Sequence, residues 1–519
     1  MIYDIPYKVR AVWTGKMNGE DRALFLAGKN LYTHNFSTKH NTKLGSVESF
    51  DTKADFFVYN GLLYLIDGIQ IYEVSSGTPK TPHGYVPLIG KNWRDSKIGE
   101  IYEPRNLLNN KGRISYVIGD PATSFLKTDA QISSVDAIYV NGVRIEESRY
   151  GITTMPRTVG VSGLEANDYV EMYFTYAENA HEEEIARLKS CTNAVVFGGA
   201  ASMRPFLWGA DDPTLIISSG YVGKTQLLDS QRVYPESDAL YFPAGYEFKV
   251  GTSGSPITAI SRNYDRLLIF NDHEVWMADT SVTGIEELPV LNINSPCGVS
   301  STNGATLLGN TLYTISVNGI MEWSSSYNEL NEFHTRCIST PIHDLLPDDV
   351  YTNGMIFADI RENRILVTSP SLKGIVWVWY EKLDSWVRLD LGLAVNHFFS
   401  TPKDIGFTND SNVYAFDESK YEDHNGREIV GKFEGKLTDF DKYGNKRVFS
   451  AAVRCDGEVT VECLFDNDTS PSVSLTMSAH GHESVRRRIN ARRFGTLRPA
   501  ITAGGNERQV IHSLRLWAE

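Results

Sequence analysis

Six arginines fall within thirteen residues of a chain that is otherwise acidic. The run Arg486-Arg-Arg-Ile-Asn-Ala-Arg-Arg-Phe-Gly-Thr-Leu-Arg498 contains Arg486, Arg487, Arg488, Arg492, Arg493 and Arg498, against a formal net charge of −14. A guanidinium offers paired N–H donors that match carboxylates and phosphates. The run could therefore meet a neighbouring subunit, another acidic partner or a nucleic-acid backbone. It could equally be the solvated face of a strand, pairing with nearby acids at little net gain. Both readings stand at this level.

Other constellations fail on spacing. Gly220-Tyr-Val-Gly-Lys-Thr225 resembles a phosphate loop, but the position that needs the first glycine is Ser218. Asp439, Asp441 and Gly444 suggest a calcium loop, yet Tyr443 and Ser450 occupy positions where further acids are required. His181 is followed by Glu182, Glu183 and Glu184 with no second histidine four residues on, so the metalloprotease helix pattern is absent. The acid pairs Asp211–Asp212 and Glu146–Glu147 could serve a glycosidase only with partners from elsewhere, because neighbours on a strand point to opposite faces. Cysteines at 191, 297, 337, 455 and 463 are odd in number without a C-x-x-C pair, which predicts buried free thiols rather than disulfides or zinc. No catalytic residue, metal or cofactor is expected.

The elements behind these residues are hairpins. An apolar half-strand, a turn on Gly, Asn or Asp and a second strand carrying Tyr or Trp recur along the chain. Copies include Leu24–Tyr32, Phe56–Tyr72, Tyr264–Trp276, Leu308–Trp323, Ile360–Val367 with Ile375–Trp379, and Asp404–Phe416. Such a unit cannot bury its apolar face alone. A run of them predicts a mainly β protein built on a β-propeller of about six to eight blades. A β-sandwich or irregular meander is the rival fold. The composition agrees with strands and turns, with 26 Tyr, 23 Phe and 42 Gly among 519 residues.

The texture changes twice. The first blades are expected over residues 1–88 and an inserted small β-domain over 89–180, with an Asn141-Gly142 hairpin and the alternating strand Asp168–Tyr176. The segment from Ala180 to Ser190 reads as a short helix, acids first and bases last. The remaining blades occupy 181–420. A C-terminal, sandwich-like β-domain over 421–519 follows a polar stretch, and its segments Arg447–Arg454, Glu458–Phe465 and Val510–Trp517 alternate in period two. No run reaches the ~18 apolar residues of a membrane helix. The first residues lack a signal-peptide pattern, so a protein made in the cytoplasm is expected.

Several segments resemble the tail-nozzle, or packaged-DNA stabilisation, proteins of short-tailed bacteriophages. They are Glu103-Pro-Arg-Asn-Leu-Leu108, Val117-Ile-Gly-Asp120, Ile138-Tyr-Val-Asn-Gly142, Val196-Phe-Gly-Gly199 and Phe206-Leu-Trp-Gly209. Most telling is Ala239-Leu-Tyr-Phe-Pro243 with Phe248-Lys-Val-Gly251, Ser255-Pro-Ile-Thr258 and Leu267-Leu-Ile-Phe270, and the ending Ile511-His-Ser-Leu-Arg-Leu516 is also similar. The resemblance implies a structural virion protein, six copies in a ring below the head-to-tail adaptor, forming the distal tail tube. Its partners would be further copies of itself, the adaptor, tail fibres, and packaged double-stranded DNA passing without sequence-specific contact. Within that scheme the arginine run would meet a neighbouring subunit or the adaptor. Two other classes are a glycan- or receptor-binding propeller using Trp377, Trp379 and Trp386, whose bland role is core packing, and a carbohydrate-active enzyme.

Overall fold

The computed structural model describes residues 3–75, 77–92, 103–121, 125–155, 157–178, 180–198, 203–220, 239–252, 254–264, 266–279, 290–293, 297–327, 333–410, 412–417, 420, 422–423, 425–440, 444–466, 468–479, 484–489, 493–504 and 509–518. Two compact units emerge, Ile2–Ala415 and Phe416–Glu519.

The first unit contains a seven-bladed β-propeller. The blades begin with β2 (Val9–Met17), β3 (Asp55–Tyr59), β4 (Asn193–Phe197), β5 (Ala259–Asn263), β6 (Ala305–Leu308), β7 (Met355–Asp359) and β8 (His397–Ser400). Among the described residues each continues outward as an antiparallel meander of four strands, except the second, which has three. The last blade borrows its fourth strand from the other end of the chain. There β1 (Tyr3–Asp4) pairs antiparallel with Asn412–Ala415, Tyr3 opposite Val413.

Local chemistry explains the hairpins. Asn18-Gly19, Asn60-Gly61 and Asn141-Gly142 all have both residues at positive φ, as a two-residue type I′ turn demands. Each joins paired strands, as in Met17 opposite Glu20, Tyr59 opposite Leu62 and Val140 opposite Val143. Period-two side chains then fill the gaps between blades. Leu24, Leu26, Leu63 and Leu65 join the first and second blades; Trp208, Ile216, Ile269 and Trp276 join the third and fourth. Tyr313, Ile315, Trp377 and Trp379 join the fifth and sixth, and Phe25, Phe399 and Val413 join the seventh back to the first. The sixth and seventh meet through Phe357 against Phe398 and through Arg364, which reaches Asp359 at 2.9 Å and Asp404 at 3.6 Å. Tyr64 and Leu207 join the second and third blades, Phe270 and Trp323 the fourth and fifth, so every blade has an apolar neighbour on both sides, which is what closes a ring.

Between the second and third blades lies an inserted β-domain. A five-stranded sheet orders Val143–Arg144, Ile132–Val140, Tyr169–Tyr176, Lys111–Val117 and Leu88–Asn92, facing a three-stranded sheet of Phe125–Lys127, Thr158–Val161 and Tyr150–Ile152. Ile114, Tyr116, Ile138, Met172 and Phe174 form its core. The expected helix, α1 (Glu182–Ser190), brings the chain back and buries Leu188 against the propeller.

A three-ply joint fixes this domain to the ring. The segment 239–244 lies between residues 83–85 and 104–107. Tyr85 N–H donates to Leu240 O at 3.0 Å, Leu240 N–H to His83 O at 3.1 Å, Leu107 N–H to Phe242 O at 2.8 Å and Ala244 N–H to Arg105 O at 2.8 Å. Asn106, buried at 2% exposure, satisfies both neighbours at once. Its Nδ2 donates to Tyr85 O and Leu240 O at 2.9 and 3.0 Å, and its Oδ1 accepts from Phe242 N–H at 3.0 Å and Leu108 N–H at 3.2 Å.

The second unit is organised on one long strand. Among the described residues it has six strands: β9 (Gly431–Glu434), β10 (Val448–Phe465), β11 (Val473–Ala479), β12 (Ser484–Arg488), β13 (Leu497–Ala503) and β14 (Val510–Ala518). The first half of β10 pairs with β12 on one flank and β14 on the other; its second half pairs with β11 and β13. Register shifts at Arg454–Cys455 separate the halves. Ala451, Val453, Cys455, Val459, Val461, Cys463 and Phe465 point into a shared core, as the period-two pattern predicts.

Candidate functional site

The arginine run is split by this topology. Arg486, Arg487 and Arg488 lie on β12, opposite Ala452, Ala451 and Ser450 of β10. Arg498 lies on β13 at the far end of β10, opposite Leu464, where its charge acts on Glu434 of β9. Arg493 is exposed outside the strands, and Arg492 lies outside the described residues.

Strand alternation sorts them further. Arg486 and Arg488 share the outer face, and Arg487 shares the opposite face with Val485. The outer face also receives Arg454 from β10 and Arg515 from β14, because Arg515 sits opposite Ala452, which in turn faces Arg486. Neither Arg454 nor Arg515 was a sequence candidate. Their signal was nonetheless present, in the period-two alternation of Arg447–Arg454 and Val510–Trp517. Three rows result across the half-sheet: Arg488–Ser450–Trp517, Arg486–Ala452–Arg515 and Ser484–Arg454–Ser513.

Arg486 is held in place. Its Nε and Nη2 donate to Ser450 Oγ at 3.2 and 2.9 Å, and its guanidinium lies over the Trp517 ring at 4.2 Å. Arg454, Arg488 and Arg515 are exposed, and among the described residues none of them makes a salt bridge.

A second site is the hole of the propeller. All seven innermost strands or the turns before them contribute to a cavity of about 610 Å³, whose charged lining is Lys8, Arg10, Asp51, Lys53, Asp55 and His397. Arg10 is committed to structure, since its guanidinium donates to Gly28 O at 2.8 Å and Ser49 Oγ at 3.0 Å. Lys53, before the second blade, reaches across to Thr302, before the fifth, at 3.1 Å. The hole is therefore spanned by a side chain.

Two groups in this wall join adjacent blades and titrate abnormally. Asp55 accepts from Ala194 N–H of the third blade at 3.0 Å and from Phe56 N–H at 2.8 Å; burial pushes its carboxyl up to about 6 although both bonds pull it down. His397 Nε2 contacts Val9 O of the first blade at 3.2 Å, and since a carbonyl only accepts, that nitrogen carries the proton. Burial pushes the imidazole down to about 4. The two contribute oppositely to stability. His397 favours the folded state fully above pH 6.5 and loses that contribution as pH falls through 4. Asp55 favours it fully below pH 3.8 and loses that contribution as pH rises through 6. For His397 the effect is about 1–2 kcal/mol once partial solvent contact is allowed for. His397→Gln, which keeps a donor for Val9 O, should therefore lose less stability than the parent between pH 6.5 and 4, read from urea midpoints.

The other candidates are structural where they can be placed. A cleft of about 400 Å³ between the inserted domain and the propeller is lined by Glu103, Arg105, Asp129, His181 and Glu184, but these groups already hold one another or the backbone. Tyr85 donates to Glu103, Arg105 pairs with Asp129 at 3.0 Å, and Glu184 accepts from Gly245 N–H at 2.8 Å beside His181. Asp212 pairs with Lys249 at 2.6 Å, which with Thr214 holds its carboxyl down at about 2. Glu146 and Glu147 are exposed on the inserted domain, 3₁₀ turn included. Lys224, Thr225, Asp441 and Tyr443 lie outside the described residues. Among the described residues no group of three or more His, Cys, Asp or Glu gathers as metal ligands. The five cysteines are free thiols, four buried and Cys337 partly exposed at a blade's outer strand. Trp377 and Trp379 are buried between blades, and Trp386 packs on them with its Nε1 donating to Ile338 O at 2.7 Å. They form core, not a ligand-binding surface.

No family model matches this chain, and no curated protein does either. Solved structures with a similar course include one described as BamB from Moraxella catarrhalis, 10% identical, TM-score 0.36, covering 79% of this chain and 84% of that one. Another is described as the Mitotic Checkpoint Complex, 11% identical, TM-score 0.37, covering 80% and 91%. The blade count rests on the strand pairing. The chain is a mainly β protein with a β-propeller, an inserted β-domain and a sandwich-like C-terminal β-domain.

Proposed function

We propose that this protein is a structural component of a virion, a self-assembling piece of the distal tail tube of a short-tailed phage that retains packaged DNA and passes it on ejection. What supports the reading is where the chain uses its resembling motifs. Glu103–Leu108 and Ala239–Pro243 build the three-ply joint that sets one domain on another, so they serve architecture rather than chemistry. In this scheme DNA travels between copies and not through a propeller. A hole of about 610 Å³ spanned by Lys53 is small-molecule sized, whereas the major groove of a duplex is alone ~12 Å wide.

Light scattering with negative-stain imaging, on the protein alone and with its adaptor ring, tests this. A closed ring in either condition is expected. A monomer in both overturns the reading. It would favour a glycan-binding propeller instead, for which the axial cavity lies within the ~300–1,000 Å³ of ordinary ligand sites.

A further inference from the structure

We infer that the outer face of the half-sheet formed by β12, the first half of β10 and β14 docks against the acid-rich 1–415 unit of a second copy of this chain. The inference rests on the self-assembly reading and names the face that serves it.

The charge distribution is the first argument. Residues 416–519 hold sixteen Lys and Arg and sixteen Asp and Glu, so the entire −14 resides in residues 1–415. One unit is neutral overall yet gathers arginine on one sheet face; the other supplies the net negative charge. Copies of this chain therefore carry both halves of a complementary pair.

Geometry is the second. Strand spacing puts Arg486 and Arg488 ~7 Å apart along β12 and Arg486 ~10 Å from Arg515 across β10. Arg454 sits diagonally in the next row. Four guanidiniums on so small a face repel one another, and among the described residues no salt bridge offsets Arg454, Arg488 or Arg515. Their field is left for something outside the unit.

Preorganisation is the third. Arg486 is clamped by Ser450 and stacked on Trp517, giving a flat Arg–Trp centre with little side-chain freedom to lose. Arg and Trp are the residue types that carry binding energy at protein interfaces. A polyanion such as nucleic acid would match the four arginines equally well. The net charge of the whole chain opposes it, whereas a second copy brings the acids with it.

The test compares two triple variants of the full chain. Arg454→Glu, Arg488→Glu and Arg515→Glu reverse the face but spare Arg486. Arg487→Glu, Arg493→Glu and Arg498→Glu make the same charge change off it. Far-UV circular dichroism and urea midpoints establish that both fold. Sedimentation at low and high salt should show the on-face triple self-associating about a hundredfold more weakly than the parent. The off-face triple should match the parent.

Equal assembly of the on-face triple and the parent overturns the face while leaving self-assembly intact. Equal loss in both triples also overturns it, leaving only general charge. A parent that stays monomeric at every salt concentration defeats the self-assembly reading and the proposed occupant together. Retention of a labelled DNA duplex by the parent, lost in the on-face triple without change in assembly, overturns it in favour of a polyanion site.

Discussion

Asn106→Leu should free the inserted domain from the propeller and cost about 3–5 kcal/mol. Leucine keeps the branched shape and the number of heavy atoms, so the main loss is one of hydrogen bonding. Phe242 N–H and Leu108 N–H have Asn106 Oδ1 as their acceptor, and both carbonyls served by Nδ2 lose a donor. An orphaned buried group costs ~1–3 kcal/mol. Two orphaned N–H groups, with Leu240 O and Tyr85 O each reduced to a single donor, Tyr85 N–H and Asn109 Nδ2 respectively, sum beyond what a surface change can do. The effect should be local, because the core of Ile114, Ile138, Met172 and Phe174 belongs to the inserted domain and is untouched. Limited proteolysis should therefore open residues 103–108 and 239–244 while the domain's own strands stay protected. Asn106→Asp, which keeps the acceptor but places charge beside Tyr85 O and Leu240 O, should be at least as damaging. Unchanged protease resistance in the leucine variant would remove Asn106 from the joint.

The second large effect is expected from Trp379→Ala. Trp379 is wholly buried in the seam between the fifth and sixth blades, its ring 5.4 Å from that of Tyr313. Truncation of a buried tryptophan costs ~3–5 kcal/mol through lost transfer energy and the cavity left behind. The seam has little means of closing over the space, since Ile315, Ile356, Ile365 and Val367 are already packed in it on hydrogen-bonded strands. Stability measured in urea should fall by that amount. Trp379→Phe should recover more than half of it, as one aromatic ring stays in the seam while the second ring of the indole and the Nε1 donor to Asp384, at 3.3 Å, are given up. A fall below about 1 kcal/mol for the alanine variant would mean that the ring does not transmit packing from blade to blade.

The hairpins were readable from residues alone because their turns demand particular chemistry. Asn141-Gly142 and Asn60-Gly61 adopt positive φ at both positions, and few residue pairs tolerate that. The helix after Ala180 was readable from its charge gradient, which places Glu182–Glu184 and Arg187 at the two ends of α1. Blade number was not. The second blade ends after three strands, and the seventh takes its outermost strand from residues 3 and 4, so no fixed repeat length exists to count.

The arginine face was half legible. Arg486 and Arg488 stood out as neighbours in sequence, but Arg454 and Arg515 join them only through pairing of strands that lie thirty or more positions apart. The same run misled where it looked uniform, since alternation turns Arg487 away and the chain carries Arg498 to the other half-sheet. The hole of the propeller was illegible for a related reason. Asp55 and His397 meet it from separate blades, and each owes its abnormal acidity to burial at the point where it bonds a backbone group of the next blade. Sequence proximity predicts neither contact.

Closure of the ring by β1 has a consequence in time. Tyr3 must find Val413, a partner about 410 positions away. At ribosomal speeds of ~5–20 residues per second, the first strand leaves the ribosome some 20–80 s before its partner exists. Until then Val9, Ala23 and Phe25 of the first blade wait for Phe399 and Val413 to cover them. Contacts so distant along the chain also form slowly once both ends are present. The apolar flank of the first blade is thus exposed throughout synthesis, which makes this edge, rather than any blade interior, the place where a chaperone would bind a nascent chain and where a stalled one would aggregate.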